Sequence, residues 1–298
     1  MKIAVKVLNT FNFWRTVYSH GWCALPPFEV DKDNNHLKRL LELSGGKKIL
    51  VEISQSPKGE LSVSTTAKIS AKEREDIVRQ LSSCLRLDED YSEFYSEAKN
   101  HKDFRWVSKA GAGRLLRSPT VFEDVVKMIC TTNCSWALTE IMVGNLCKKL
   151  GCRVDDSRWT FPKSEAIANT SAKFLRKEIR AGYRAPYLLE LSKRVARGDI
   201  YIESWRMSTL PTDDLFREVR SVKGVGPYAA GNILKLLGRY DYLGIDSWCR
   251  KKFFEIHRNG RTGSDRIIEK HYAPFGKWKG LFFWMDVTKQ WYDRKFPF

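Results

Sequence analysis

Residues 49–54 (ILVEIS) and 60–65 (ELSVST) place apolar side chains at every second position, and Ser56-Pro57-Lys58-Gly59 separates them. Two alternating runs joined by turn-forming residues predict a β-hairpin. The preceding LKRLLEL at 37–43 fits a strand or a helix, because its leucines satisfy both periods, and Gly45-Gly46 ends it either way. Ser70 is placed to cap a helix over 70–84, with Lys72, Glu73, Arg74 and Glu75 in its first turns. From Tyr91 onward the alternation gives way to helical spacing. The pattern therefore predicts an α+β chain: a mixed α/β domain with a small antiparallel sheet over 1–100, then an all-helical region over 101–298.

Within the helical region, 118–133 (SPTVFEDVVKMICTTN) carries an apolar stripe of Phe122, Val125, Val126 and Ile129. Thr120 and Glu123 have the spacing of a capping box. A second helix is expected from Ser135 to Gly151, with Lys148 and Lys149 at its electronegative end. Two more are expected over 163–182 and 187–198, joined by GYRAPY, where Pro186 breaks the first or begins the second. Near the C-terminal third, 212–222 (TDDLFREVRSV) offers Thr212 or Asp213 as a cap and aligns Leu215, Val219 and Val222. Pro227 then suits the first position of another helix, whose apolar residues are Ala229, Ala230, Ile233, Leu234 and Leu237 before Gly238 interrupts it. Helix, Gly-Val-Gly turn, helix is the resulting reading of 212–238.

Composition narrows what such a chain binds. Its 298 residues include 52 Lys and Arg against 35 Asp and Glu, a formal charge of +17, which favours a polyanionic partner. No apolar run reaches the ~20 residues of a membrane-spanning helix, and Lys6 and Asn9 interrupt the N-terminal stretch too early for a secretory signal, so an intracellular location is expected. The seven cysteines never form C-x-x-C and the five histidines are dispersed, which suggests neither a disulfide framework nor a side-chain metal site. The Gly-Val-Gly turn gives the polyanion a place to bind, because backbone N–H groups at a helix start favour a phosphate. Gly224 and Gly226 are expected at positive φ, with Val225 tucked inward. An ordinary helix–helix turn is the plain alternative.

The whole stretch, and not the glycines alone, resembles the helix-hairpin-helix DNA glycosylases with a Gly/Pro-rich loop and catalytic Asp. Their hairpin pattern L-P-G-V-G-x-x-x-A is similar to 222–230 (VKGVGPYAA), with Val222 and Lys223 departing from Leu and Pro. Their V-D-x-x-x-x-R motif is similar to 245–253 (IDSWCRKKF), which implies Asp246, in the loop 243–250, as the catalytic residue. The stretch from Ser118 to Gly151, the GYRAPY segment and 268–285 (IEKHYAPFGKWKGLFFWM) resemble further parts of the family in the same order. The resemblance implies a base-flipping enzyme of base excision repair acting on duplex DNA as a monomer, in the nucleoid or the nucleus. It divides 101–298 into two helical subdomains.

Residue by residue, the resemblance implies that Asn133 fills the gap left by a flipped base, and that Arg184, with Tyr183 beside it, contacts the opposite base. Helix capping by Asn133 and a plain surface place for the other two are equally open. A second Arg expected five positions after Asn133 is Leu138 here. Tyr228, Phe283 and Trp136 are implied as base-pocket residues, with Trp248, Phe282 and Trp284 as further aromatic candidates; packing of the helical core is the alternative for all of them. Tyr228 stands where members with strand-cleaving activity carry a lysine, so hydrolysis by water, without lyase activity, is expected. Alkylated purines are the favoured substrates, with 8-oxoguanine chemistry or non-catalytic DNA binding as alternatives. Only Cys249 follows Asp246, so no iron–sulfur cluster is expected. A sodium or potassium ion on the carbonyls of Arg220, Val222 and Val225 is implied as a structural option. Asp246 also suits the N-cap of a helix over 246–257, and the two roles are compatible.

Overall fold

Period-two alternation becomes an antiparallel sheet in the computed structural model, which describes residues 1–56 and 59–293. Its strands are β1 (Lys2–Val5), β2 (Phe28–Asp31), β3 (His36–Glu42), β4 (Lys48–Gln55) and β5 (Leu61–Ser64), in the order β1-β5-β4-β3-β2. The predicted hairpin is β4–β5, with Ile53 opposite Val63. Of its turn, Pro57 lies outside the described residues, and Gly59 adopts φ +79°. The ambiguous 37–43 run is strand β3, in register with β4 so that Leu40 faces Leu50. β1, which the sequence reading did not identify, pairs with β5.

The helices follow in chain order as α1 (Phe13–Val17), α2 (Ala71–Leu85), α3 (Ser92–Asn100), α4 (Arg105–Ala110), α5 (Val121–Thr131), α6 (Trp136–Leu150) and α7 (Ser164–Ala168). After them come α8 (Ala172–Lys177), α9 (Ala185–Ala196), α10 (Thr212–Arg220), α11 (Pro227–Leu236), α12 (Ser247–Arg258), α13 (Asp265–Tyr272) and α14 (Lys279–Asp293). The α+β class is as expected. Ser70 and Glu73 complete a capping box on α2, and Ser135 caps α6 by accepting from the Leu138 N–H at 3.3 Å. The helix expected over 163–182 is instead α7 and α8 followed by a 3₁₀ turn, because Ser171 accepts the Phe174 N–H and starts a new helix. Among the described residues no helix is long and apolar enough to cross a membrane.

Contacts group the chain into two compact units, 1–89 with 114–203 and 90–113 with 204–298. The change from strands to helices comes between β5 and α2, ahead of the boundary expected at residue 100, and the contact division is discontinuous and keeps the sheet with the helices of 114–203. One reason is Arg39. It lies on the core-facing side of β3 beside Leu37 and Leu41, and a buried guanidinium requires a partner. Glu123 on α5 accepts two hydrogen bonds from it, at 2.9 and 2.6 Å, and is also 2.7 Å from the buried Lys127 ammonium.

This pairing corrects the reading of Glu123 as half of a capping box. Thr120 does accept the Glu123 N–H at 3.3 Å, but the Glu123 carboxylate turns into the core. Glu203 takes its place at the helix start, accepting from the N–H groups of Val121 and Phe122 at 2.8 and 2.9 Å. Burial would raise the Glu123 carboxyl pKa, but the charges of Arg39 and Lys127 outweigh it and hold it at about 2. Burial also lowers the Lys127 pKa.

Glu123→Gln leaves two buried cations sharing a neutral partner and is expected to cost about 3–5 kcal/mol of unfolding free energy in denaturant titrations. The carboxylate's stabilisation is complete above its ordinary value of 4.5 and is lost as pH falls toward about 2. The wild-type protein should therefore shed stability through that acid window, and the variant should lack that component.

Candidate functional site

The hairpin lies wholly in the second unit. Leu215 and Val219 bury one face of α10, as their spacing predicts, and Val222 is buried just beyond its end. The cap differs from expectation: Pro211 occupies the N-cap position, because Thr212 donates to Asp241 at 3.0 Å and Asp213 accepts from the Tyr242 hydroxyl at 2.6 Å. The Val225 N–H donates to the Val222 carbonyl at 3.0 Å, and the Val225 side chain is tucked inward. Gly224 takes φ +87°, which strongly favours glycine. Gly226 does not share it. It is extended, at φ −79° and ψ −179°, and a Cβ there would meet nothing within 4 Å. Its contribution is open space at the start of α11, where Pro227 occupies the first turn and no side chain caps the backbone donors. That combination suits an approaching anion.

The same helix holds the Asp246 loop. At Gly231 a Cβ would lie 3.0 Å from the Cα and nitrogen of Gly244, so the loop rests directly on the helix backbone. The next residue, Asn232, donates to the Gly244 carbonyl at 3.4 Å. Lys235 reaches the Leu243 carbonyl at 2.9 Å and lies over the Trp284 ring at 5.1 Å. It is buried, and burial lowers its pKa to about 8 against the opposing influence of Cys249 and Asp246.

Asp246 is the N-cap of α12, its Oδ1 accepting the Cys249 N–H at 2.6 Å. The carboxylate is half-buried, and the Cys249 thiol also engages it. Arg250 fixes α12 to the start of α13 through two bonds to Asp265, at 2.6 and 2.8 Å. Tyr228 is half-buried and lines an open cavity of about 930 Å³ with Tyr242, Gly244 and Ile245. Phe283, a base-pocket candidate, is instead wholly buried with its ring 5.3 Å from Tyr272. Phe282 is likewise buried, against Phe275, and Trp248 is partly exposed beside Trp291. Aromatic residues at helical spacing on α14 have been taken up by core packing.

The remaining candidates lie in the first unit, where the end of α5 meets the GYRAPY turn. Thr132 caps α5, and Asn133 follows at φ +46°, exposed, donating from Nδ2 to the Tyr183 hydroxyl at 3.3 Å. Tyr183 is half exposed and donates to the Thr132 carbonyl. Arg184, expected to face DNA, is 3% exposed; its guanidinium donates to the Thr132 carbonyl and hydroxyl and lies over the Tyr183 ring. In this conformation it braces the turn that presents Asn133. Trp136 is half-buried, occupies the space that a side chain at Gly21 would need, and donates to Glu140 at 3.0 Å. Asp246 and Tyr228 thus share one unit, while Asn133, Tyr183, Arg184 and Trp136 share the other. The sequence reading missed Gly231, Asn232 and Lys235. The available signal was a lysine inside the otherwise apolar AAGNILKLL of 229–237.

No protein-family profile matches the chain. It is 22% identical over 138 residues to YfjP of Bacillus subtilis, named as a candidate DNA-3-methyladenine glycosylase, and 26% identical over 141 residues to the N-glycosylase/DNA lyase of Saccharomyces cerevisiae. These matches take in 44% and 43% of this chain, and 47% and 37% of the relatives, so less than half the length of either relative is spanned. Similarity in structure extends much further. The 3-methyladenine DNA-glycosylase of Archaeoglobus fulgidus superposes with a TM-score of 0.75 at 20% identity, covering 98% of this chain and 99% of that one. The 8-oxoguanine glycosylase/lyase of Clostridium acetobutylicum, in complex with double-stranded DNA containing cytosine opposite 8-oxoguanine, superposes with a TM-score of 0.74 at 18% identity and 99% coverage of both chains. The chain has the fold of the helix-hairpin-helix DNA glycosylases, the superfamily that its hairpin and Asp246 loop resemble in sequence.

Proposed function

We propose that the protein is a monofunctional DNA glycosylase that hydrolyses the N-glycosidic bond of a damaged base, most directly an alkylated purine, turned out of duplex DNA. The observation that carries this reading is that one helix, α11, begins at the glycine hairpin and holds the Asp246 loop along its body. A phosphate bound at the hairpin would bring the strand into a fixed relation with the carboxylate. As the base departs, positive charge develops on the deoxyribose, and an ionised Asp246 opposes it while orienting a water molecule for attack. Capping by Oδ1 holds the carboxylate in place for this work. The +17 charge supports a duplex DNA partner, and base flipping would draw on Asn133 to occupy the vacated stack.

Hydrolysis without strand cleavage follows from two residues. Tyr228 supplies no amine, and the Lys235 amine is buried and engaged with Leu243, which keeps it from attacking a sugar. The carbonyls of Arg220, Val222 and Val225 are proposed as the place of an alkali ion, which would supply added positive charge near the phosphate. A monomer in the DNA-containing compartment suits this activity. An 8-oxoguanine specificity is the second reading, favoured by the exposed place of Asn133 and opposed by Leu138 where a second Arg is expected.

Asp246→Asn keeps a side-chain oxygen for the cap but removes the charge, so the fold should persist while base release falls about 10²-fold or more. Labelled duplexes carrying alkylated, oxidised and deaminated bases, developed with and without alkali, measure this and name the lesion. Absence of release by the wild-type protein from every duplex, with binding intact, would establish DNA binding alone. Borohydride treatment of the wild-type reaction should trap no covalent adduct. A trapped adduct would show that an amine attacks the sugar and would remove the hydrolytic reading.

Lys235 links this machinery to stability. Its folded-state pKa of about 8 lies below the ordinary 10.5, so the unfolded chain binds the proton more tightly and stability rises as pH increases between those values. That rise should amount to about 3 kcal/mol. Denaturation midpoints of Lys235→Met should lack this rise, while its base release is slowed because Leu243 loses its donor.

A further inference from the structure

Beyond the proposed site, α12, α13 and α14 each contribute one metal-binding type of side chain to a common point. These are His257 in the last turn of α12, His271 near the end of α13, and Asp286 within α14. One donor atom from each lies within 4.8 Å of the other two. Histidines that look dispersed along the sequence are thus brought together by the fold. We propose that His257, His271 and Asp286 form a binding site for a divalent transition-metal ion of the zinc class.

Two imidazoles and one carboxylate form a donor set suited to Zn²⁺, with a fourth position left for water. The arrangement is already partly closed: His257 Nε2 lies 2.7 Å from Asp286 Oδ2, and the two imidazole centroids are 4.4 Å apart. Tetrahedral coordination with bonds of about 2.1 Å separates ligand atoms by roughly 3.4 Å, so small side-chain rotations suffice. Tyr272 donates to the same Asp286 oxygen, the kind of outer hydrogen bond that orients a metal-binding carboxylate. Phe253 packs edge-on against His271 and also contacts the His257 ring, restricting both imidazoles from behind.

The three residues line an open cavity of about 510 Å³, which provides entry and room for the fourth ligand. Lys252, Lys289 and Asp103 line it as well; the lysines oppose a cation, and Asp103 offsets one of their charges. A bound ion would join three helices at the end of α12 opposite Asp246, replacing the His257–Asp286 hydrogen bond with coordination bonds. The expected consequence is stability of this helical unit, independent of whether the chain cleaves glycosidic bonds.

Chelator-treated, full-length protein should be titrated with Zn²⁺ in competition with a chromophoric chelator, and its thermal midpoint followed in parallel. One ion per chain, with a midpoint that rises on saturation, is expected. His271→Ala changes an exposed residue and should preserve the apo midpoint while weakening Zn²⁺ binding at least tenfold; Asp286→Asn should weaken it too. Cys152→Ser, which removes an exposed thiol, should leave binding unchanged. Absence of stoichiometric binding, or binding equally strong after His271→Ala, would overturn the proposal. These readouts use no DNA, so they succeed or fail separately from the glycosylase reading.

Discussion

A buried ammonium group on one carbonyl oxygen fixes the part of the molecule on which function rests. Lys235 enters an apolar helix face, and donating to Leu243 provides a partner for a charge otherwise placed among Trp284 and neighbouring core residues. Burial alone works against that charge. Leu243 can meet it only if the loop lies close to α11, which requires Gly231 and Gly244 to pass without side chains between them. The contact thereby sets the path of the chain three residues before Asp246. A neutral apolar residue at 235 would relieve the desolvation of the amine and give up that specification, a trade that buried polar groups commonly represent.

Buried charge has a similar positional effect in the other unit. Arg39 on the sheet and Lys127 on α5 converge on Glu123, so the strand and the helix are matched by charge as well as by apolar packing. α5 then ends at Thr132, and Arg184 grips that residue from the GYRAPY turn. Asn133 is left exposed in a left-handed conformation that asparagine tolerates better than most residues. The conformational reading and the proposed DNA role are compatible, because the same backbone bend turns its side chain outward.

Local signals were readable where a short stretch decides its own conformation. The β4–β5 alternation, the Ser70 and Ser135 caps, the inward Val225 and the Asp246 cap belong to this class. Partners distant in sequence were much less readable. Thr120 and Glu123 have the spacing of a capping box, yet Arg39, 84 residues away, claims the carboxylate and Glu203 covers the helix start. Phe283 and Arg184 fit motif positions, but burial gives one to the core and Thr132 the other. Lys235 stood in plain view in AAGNILKLL, though its partner carbonyl is visible only once the loop is folded back on the helix.

Asp246 joins these local and distant constraints in one side chain. Helix capping requires an acceptor at this position, and Ser, Thr or Asn would also meet that need. Accepting the Cys249 N–H fixes the side-chain rotamer, so the cap prepares the carboxylate for the proposed chemistry. Preparation of this kind lowers the reorganisation needed when positive charge develops beside it. The distinction between a structural and a catalytic aspartate is therefore made by charge and not by position: geometry needs an oxygen at 246, while stabilising a cationic sugar needs an anion.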